Sequence, residues 1–409
     1  MSDRTVERVF REASGRIVAA LATRFRDLAL AEDAFADSCV RALEVWGEQG
    51  VPDDPPAWLY QVAVRAALDA IRRRQTRERY APQLAADIAE SSSDDAEWNV
   101  IPDERLRLIF VCCHPAVAVD ARAALTLRLV CGLPTLDIAR AFLVPETTLA
   151  QRIVRAKRKI ADAGVPFEVP GPEFWPERLD AVLSTLEVAY AKAHEDASGG
   201  GPHATYAAEV IELTRLLTEL LPTNADVLAL AATARFAEAR RPSRVDSSGM
   251  MVPLTDQDPN LWDRKLIADG SGLLDRAVAV DSERPRVVQA RIHGLWCSRR
   301  SLLEAPPWRA LLALYDVLLS LRDDPIVRLN RTVVVAEILG VEAAIEEAER
   351  LDASALMDFL PYHAVCADLY RRSGRQAEAR IAYDNALRLV ETSAERSWLL
   401  RQQATVRRN

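Results

Sequence analysis

Residues 142–160 read FLVPETTLAQRIVRAKRKI, and this stretch carries the clearest structural pattern in the chain. Its first part is a turn containing Pro145, which suits the start of a helix because its missing N–H has no partner there. The last nine residues carry five cations and no acid. The whole chain is acidic, with a formal net charge of −8. Positive charge is therefore concentrated on one short segment of an acidic protein.

The cationic segment also has an apolar side. With Leu149 at 0° and about 100° per residue, Ile153, Ala156 and Ile160 fall within about 40° of it. The hydrogen-bonding and cationic residues fall between about 180° and 300°. They are Thr148, Gln151, Arg152, Arg155, Arg158 and Lys159. The pattern predicts a helix that packs through one face and presents cations on the other.

A short apolar segment precedes this helix. Leu136, Ile138, Ala139 and Phe142 have the spacing of one helical face, and Thr135 is a candidate cap. Two helices joined by a tight turn predict a helix-turn-helix, whose second helix enters the DNA major groove. A solvated basic face on an ordinary amphipathic helix is the alternative. The tight turn and the absence of acids from residues 152–160 favour the helix-turn-helix.

Charge along the chain suggests domain boundaries. Residues 1–80 hold 13 basic and 13 acidic residues, whereas 81–104 hold seven acids and no base. Residues 105–165 hold ten basic and four acidic residues, and 166–409 contribute a net −7. We expect domains at 1–80, 105–170 and 171–409, with 81–104 as a flexible acidic linker.

The N-terminal segment predicts two further helices. Residues 26–46 place apolar side chains at helical spacing: Leu30, Ala34, Cys39, Leu43 and Trp46. A second helix opens at Trp58, which we assign to the core, and ends in a cluster of arginines that includes Arg72, Arg73 and Arg74. Cations are favourable at a helix C-terminus for dipole reasons alone. Together with Tyr80 they would also suit opened, single-stranded DNA.

Other features exclude several classes of function. Leucine, alanine, arginine and glutamate dominate, which favours an all-α fold. No apolar run reaches membrane-spanning length and the N-terminus lacks a secretory signal, so we expect a cytoplasmic protein without a membrane partner. Six scattered cysteines are expected to be buried thiols; a metal site at Cys112, Cys113, His114 and Cys131 is the less favoured alternative.

We expect no enzymatic activity, cofactor or metal. Nucleophile-elbow, P-loop and dinucleotide motifs are lacking in the sequence. His194, Glu195 and His203 could form an acid–base or metal site, although a glycine-rich loop is more often simply exposed. In the C-terminal half, Gly340 and Gly374 are 34 residues apart, which is the period of tetratricopeptide helix pairs. We therefore predict TPR-like helical hairpins from about residue 310.

Both N-terminal modules resemble bacterial sigma factors of the extracytoplasmic-function type. LAEDAFADSCVRALEVW and PPAWLYQVAVRAALDAIRRR resemble region two of that family, and LTLRLVCGLPTLDIARAFLVPETTLAQRIVRAKRKI resembles region four. The resemblance implies contacts with core RNA polymerase, at the β′ clamp through Asp33 and Asp37 and at the β flap. It further implies recognition of a minus-ten promoter element by Asp69, Arg72, Arg73 and Arg74. The minus-thirty-five element would contact the polar residues of 148–159 named above.

The chain departs from the family at Ala36, where glutamine is frequent, and at Ala66, where asparagine is frequent. Residues 171–409 resemble the long C-terminal extension of one subgroup, through segments such as RRPSRVDSSG and DQDPNLWDRKLI. Where that subgroup has an asparagine-glutamate-glycine signature, this chain reads EVAYAKAHEDASGGG.

The expected function is a sigma factor that directs core polymerase to specific promoters. Its C-terminal domain would regulate the sigma modules, by packing on them or by recruiting an unknown partner. Two alternatives remain: a helix-turn-helix regulator that acts without polymerase, and a TPR-type interaction scaffold.

Overall fold

The structure is a computed structural model that describes residues 3–79, 104–141, 144–169, 175–195, 204–390 and 392–406. Within these ranges every regular element is a helix, and extended backbone pairs at an isolated bridge between Val245 and Met251. The all-α prediction is confirmed. The chain divides into two compact units, Met1–Ala189 and Tyr190–Asn409. The predicted acidic linker lies outside the described residues except for Glu104.

The first unit begins with a three-helix module: α1 (Asp3–Phe25), α2 (Leu28–Gln49) and α3 (Pro55–Arg79). The turn between α1 and α2 is tight, with Arg26 in the left-handed region at φ 54°. Asp27 then caps α2, because its carboxylate accepts the N–H groups of Ala29 and Leu30. This turn places α1 and α2 against each other with α3 packed on both.

An aromatic cluster fills the centre of this module. The Trp46 ring is buried and lies 5.7 Å from the ring of Phe10 and 5.3 Å from that of Trp58, measured between centroids. Tilted aromatic pairs at such distances stabilise a core beyond their buried area. The assignment of Trp58 to the core, rather than to a base-stacking surface, agrees with these contacts.

The predicted apolar face of α2 is partly wrong. Leu43 is 61% exposed, and the buried face consists mostly of small side chains. Its members are Leu28, Ala31, Ala34, Ser38, Ala42 and Trp46. Small residues let α2 approach its two neighbouring helices closely. These residues, and not the largest apolar side chains, therefore face the neighbouring helices.

The second module holds four helices: α4 (Arg105–Cys112), α5 (Val119–Leu129), α6 (Thr135–Ala141) and α7 (Glu146–Asp162). The α6–turn–α7 arrangement confirms the predicted two-helix motif. Two details of the prediction need correction. Thr135 is the first residue of α6 and not its cap, and Leu136 is 43% exposed, so the packed face of α6 rests on Ile138 and Ala139. Phe142 lies outside the described residues.

The two modules of the first unit contact each other. Helix α1 packs on α4 and α5, and Gly15 lies directly against the backbone carbonyl of Val130 at the end of α5. A second contact is the ion pair between Glu32 of α2 and Lys157 of α7, both largely shielded from solvent. The α1–α5 contact requires glycine, since a Cβ at position 15 would lie 2.8 Å from the Val130 carbonyl carbon.

Helix α8 (Trp175–Glu195) leads into the second unit, which continues with α9 (Ala204–Leu220), α10 (Ala225–Ala239), α11 (Arg264–Val280) and α12 (Pro285–Cys297). Alanine-rich α10 is the central helix, packed by α9, α11 and α12. The irregular segment 240–263 is held by buried polar bonds. Trp262 donates its indole N–H to Ser243 at 2.7 Å, and Ser243 donates to the carbonyl of Arg240 at 2.9 Å.

The remaining helices form antiparallel hairpins, confirming the TPR-like prediction. They are α13 (Trp308–Leu321), α14 (Pro325–Ile338), α15 (Val341–Glu349), α16 (Ala353–Leu356), α17 (Leu360–Arg372), α18 (Gln376–Leu389) and α19 (Ser393–Val406). Leaving aside the one-turn α16, every second helix starts 33 to 35 residues after its counterpart. Gly340 and Gly374 take left-handed φ values of 99° and 81° just before α15 and α18. Each of these two turns therefore contains a backbone conformation that favours glycine.

Candidate nucleic-acid interface

Helix α7 is anchored by the apolar face that its sequence predicts. Leu149, Ile153, Ala156 and Ile160 are each at most 4% exposed and pack toward α5 and α6. The turn that presents this helix is short. The Val144 N–H bonds to the Ala139 carbonyl at 3.0 Å, which closes α6 immediately before α7 begins.

The opposite side of α7 is open to solvent. Gln151, Arg155, Arg158 and Lys159 are exposed, whereas Thr148 and Arg152 are half-buried. Arg158 has an exposed Asp162 carboxylate at 3.6 Å, and Arg155 donates to the Gln151 carbonyl at 3.3 Å. Exposed pairs of this kind are weak, so a phosphate or a base edge could compete for these cations.

Lys157 does not belong to this open face. It forms the ion pair with Glu32 of α2, across the contact between the two modules. The sequence counts Lys157 among the five cations of the segment but contains no sign of its partner, because Glu32 lies more than a hundred residues away. Only the tertiary structure separates the lysine that joins the modules from the cations that face outward.

The end of α3 carries the second set of predicted DNA contacts. Asp69, Arg72, Arg73 and Arg74 are all exposed. Asp69 and Arg72 are 3.4 Å apart, one helical turn along α3, in a solvent-exposed pair. This set and the α7 face lie in different modules of the first unit.

Helix α2 exposes a mixed acidic and apolar surface. Asp33 and Asp37 are exposed, as is Ala36 between them. One turn further on, Val40 and Leu43 are 58% and 61% exposed. Val40 and Leu43 are three residues apart, so they are neighbours on the helix surface and form a small exposed apolar patch beside the acids. The acids were predicted from the sequence, but the exposed apolar residues were not, because Leu43 was expected in the core.

The cysteine cluster is not arranged to hold a metal ion. Cys112, Cys113 and Cys131 are buried, and burial raises the pKa of Cys113 to about 11 and of Cys131 to about 12. The His114 ring is engaged by its own turn, since its Nδ1 accepts the Ala116 N–H at 3.1 Å. Across the described residues, no group of three or more His, Cys, Asp or Glu side chains could bind a metal. His203 lies outside the described residues, and so do the side-chain positions of His194 and Glu195.

The second unit contains a buried cation that sequence analysis missed. Arg240 is 6% exposed and donates from Nη2 to Nδ1 of His293 at 3.2 Å. Burial, and secondarily the Arg240 charge, lowers the pKa of His293 to about 3. An imidazole that accepts from a guanidinium must be neutral at that nitrogen. The pair is therefore a structural element of the RRPSR segment and not an acid–base site.

Comparisons with known proteins identify both modules. The model of sigma-70 region 2 matches residues 9–77, and the model of sigma-70 region 4 matches residues 107–160. A family of unknown function, DUF6596, matches residues 178–278. An uncharacterized protein of Rhizobium meliloti (strain 1021) is 37% identical over 396 residues, covering 95% of this chain and 93% of the relative.

The crystal structure of yeast Tom70 is 13% identical to this chain, and the match covers 93% of this chain and 80% of Tom70. The TM-score is 0.38, which is too low to indicate a common fold. The two sigma-70 regions, their order and the extension make the chain a member of the extracytoplasmic-function sigma factors that carry a C-terminal extension. Sigma factors bind core RNA polymerase and promoter DNA to initiate transcription, and they are not enzymes. No helix within the described ranges combines the length and apolarity that a membrane crossing requires.

Proposed function

We propose that this chain directs core RNA polymerase to a particular set of promoters in the cytoplasm, and that its C-terminal helices regulate this activity. The observation that carries the proposal is α7, a helix anchored by four buried apolar residues whose opposite face exposes Gln151, Arg155, Arg158 and Lys159. Arginine and glutamine read base edges, and the outer cations neutralise phosphate. On this proposal, α7 binds the minus-thirty-five element, with Thr148 and Arg152 at the edges of the interface.

The other module supplies the remaining contacts. The exposed end of α3, with Asp69 and the three arginines that follow, recognises the minus-ten element. The α2 surface of Asp33, Asp37, Val40 and Leu43 binds the β′ clamp, since acids beside exposed apolar groups combine steering with burial. The region-four module contacts the β flap. Tethering both modules on one polymerase makes the second DNA contact effectively intramolecular, so each can bind weakly alone.

Promoter binding requires the two modules to separate. Elements at minus ten and minus thirty-five are about 25 base pairs apart, or about 85 Å at 3.4 Å per base pair. A compact body of about 165 residues has a radius of gyration of only about 15 Å. The docked arrangement made by Gly15, Val130 and the Glu32–Lys157 pair is therefore that of the free protein. Core polymerase, by binding α2, would compete with the docked state.

Run-off transcription with purified core polymerase and a promoter library tests the main proposal. We expect promoter-dependent transcripts that weaken with Arg155→Ala. Arg350→Ala is the matched control, since Arg350 is an exposed cation paired with Glu346 in the second unit. If β′ fails to co-purify with the chain while the chain still binds DNA, the polymerase-independent regulator is correct instead.

Regulation by the C-terminal helices is tested by truncation. The first compact unit ends at Ala189, and Thr185 of α8 contacts Cys113, the residue that follows α4, at 3.9 Å between oxygen and sulfur. A chain that stops at Ala189 therefore keeps this contact, whereas removal of 171–409 would destroy it. We expect the 1–189 chain to give promoter-specific transcription at a level different from the full chain. Equal levels in both chains under all conditions would contradict the proposed regulation.

A further inference from the structure

One large apolar side chain of α7 is exposed beside its open face. Val154 is 63% exposed, whereas the large apolar residues on the other side, Leu149, Ile153 and Ile160, are at most 4% exposed. A single exposed valine is ordinary on a protein surface, so its exposure alone carries no meaning. Its position does, because it lies at the edge of the face assigned to DNA, about 40° from Arg158.

The neighbours of Val154 define that position. Gln151 precedes it by three residues and Arg158 follows by four, so both lie beside it on the helix surface. At about 100° per residue, Val154 is displaced about 140° from the buried Leu149, while Gln151 and Arg158 are displaced by about 200° and 180°. When Gln151 and Arg158 face the duplex, Val154 faces it as well.

Valine can make few contacts in a DNA groove. It has no hydrogen-bond donor or acceptor, so it can neither bind phosphate nor pair with the polar base edges. The apolar group that the major groove offers is the C5 methyl of thymine. Valine is also stiff at χ1, so its two methyl groups are presented with little loss of side-chain entropy.

We infer that Val154 is a specificity-determining residue that contacts a thymine methyl in the minus-thirty-five element. The inference rests on the proposed function, because it requires α7 to lie in the major groove. It deepens that function by adding an apolar contact to a recognition surface otherwise made of hydrogen-bonding groups. The preferred element then contains a thymine that this protein distinguishes from cytosine through its methyl group and not through a hydrogen bond.

The test removes single methyl groups from the DNA. The preferred element is first selected from a random library with the full-length chain in complex with core polymerase. Each thymine of the selected element is then replaced by deoxyuridine, which lacks only the C5 methyl. We expect one replacement to weaken binding by the wild-type chain about fourfold, the factor for burying one methyl-sized group. Val154→Ala should bind the thymine element more weakly and should ignore that replacement.

Two control variants separate this role from others. Arg155→Ala should weaken binding yet keep the deoxyuridine effect, and Val317→Ala, which changes an exposed valine of α13, should leave both unchanged. Because Val154 is exposed, its alanine variant should melt at an unchanged temperature. Sequence-selective binding with no response to any deoxyuridine, or with the same response in Val154→Ala, overturns the inference and leaves the proposed function intact. A chain with no sequence preference overturns both.

Discussion

At the residue scale, the difference between neighbouring cations decides what each can do. Lys157 and Arg158 are adjacent in the sequence, yet Lys157 pairs with Glu32 of the other module and Arg158 faces outward beside Asp162. Removing either one removes the same formal charge. The effects should differ, because one charge joins two modules and the other is available to DNA.

Arg155 is the residue whose loss should weaken promoter binding most directly. Its side chain is exposed on the open face of α7, and its described bond is to the carbonyl of Gln151, one turn away. If it reads a base edge, Arg155→Ala should cost about 1–3 kcal/mol of specific binding. Fluorescence anisotropy on the selected element measures this cost. An equal loss on unrelated DNA would mean that Arg155 contacts phosphate only.

His293 should make the second unit sensitive to acid. As pH falls through about 6.5 the unfolded chain binds a proton at this histidine, whereas the folded chain resists until about pH 3. The unfolded state then holds more protons, so the free energy of unfolding decreases on acidification below about pH 6.5. Because His293 keeps some contact with solvent, screening reduces this effect, and we expect a loss on the order of 1 kcal/mol between pH 7 and pH 5.

His293→Gln provides the comparison, since its amide oxygen can accept from Arg240 but does not titrate. Urea unfolding of both chains at pH 7 and pH 5 gives the difference, from which the contributions of carboxylates cancel. A loss of the same size in the glutamine variant would show that His293 does not cause the acid sensitivity.

At the element scale, residue 15 of α1 must both favour a helix and allow the helix to contact the other module. These two requirements favour different residues. Glycine in a helix interior costs roughly 0.5–1 kcal/mol relative to alanine. The chain nevertheless has glycine there, at the point where α1 meets the Val130 carbonyl of the other module. The contact between modules therefore outweighs the intrinsic preference of the helix.

Gly15→Ala should loosen the docking of the two modules. The new methyl group would clash with backbone, which cannot move aside as a flexible side chain can. We expect a larger radius of gyration by small-angle scattering and tighter promoter binding without polymerase. Gly47→Ala is the matched control, because Gly47 is also in a helix and nothing lies within 4 Å of an added Cβ. An unchanged radius with Gly15→Ala would show that the modules dock by other contacts.

At the scale of the whole molecule, charge is distributed so that DNA binding is local. The chain has a net charge of −8, although residues 105–165 hold ten basic and only four acidic residues. We expect the acidic remainder to weaken non-specific attraction to DNA, while the basic module supplies a short-range contact. On the proposed function, selectivity depends on tethering to polymerase as well as on base readout.

Salt dependence measures the size of that local contact. If about five phosphates are neutralised by the region-four module, the logarithm of affinity should fall with the logarithm of salt at a slope near −4 to −5. Binding titrations with the selected element between about 50 and 200 mM salt would give the slope. A slope near zero would contradict a phosphate-based interface.

The sequence by itself determined the all-α class, the two faces of α7 and the 34-residue repeat, because each depends on local periodicity or turn chemistry. Only the tertiary structure decided the buried face of α2, the partner of Lys157, the requirement for glycine at position 15 and the Arg240–His293 pair. Each depends on which distant backbone or side chain comes close, and a helical pattern contains no information about its neighbour. Val154 is an intermediate case. The sequence gives its angular position on α7, but only the structure shows that its side chain is exposed.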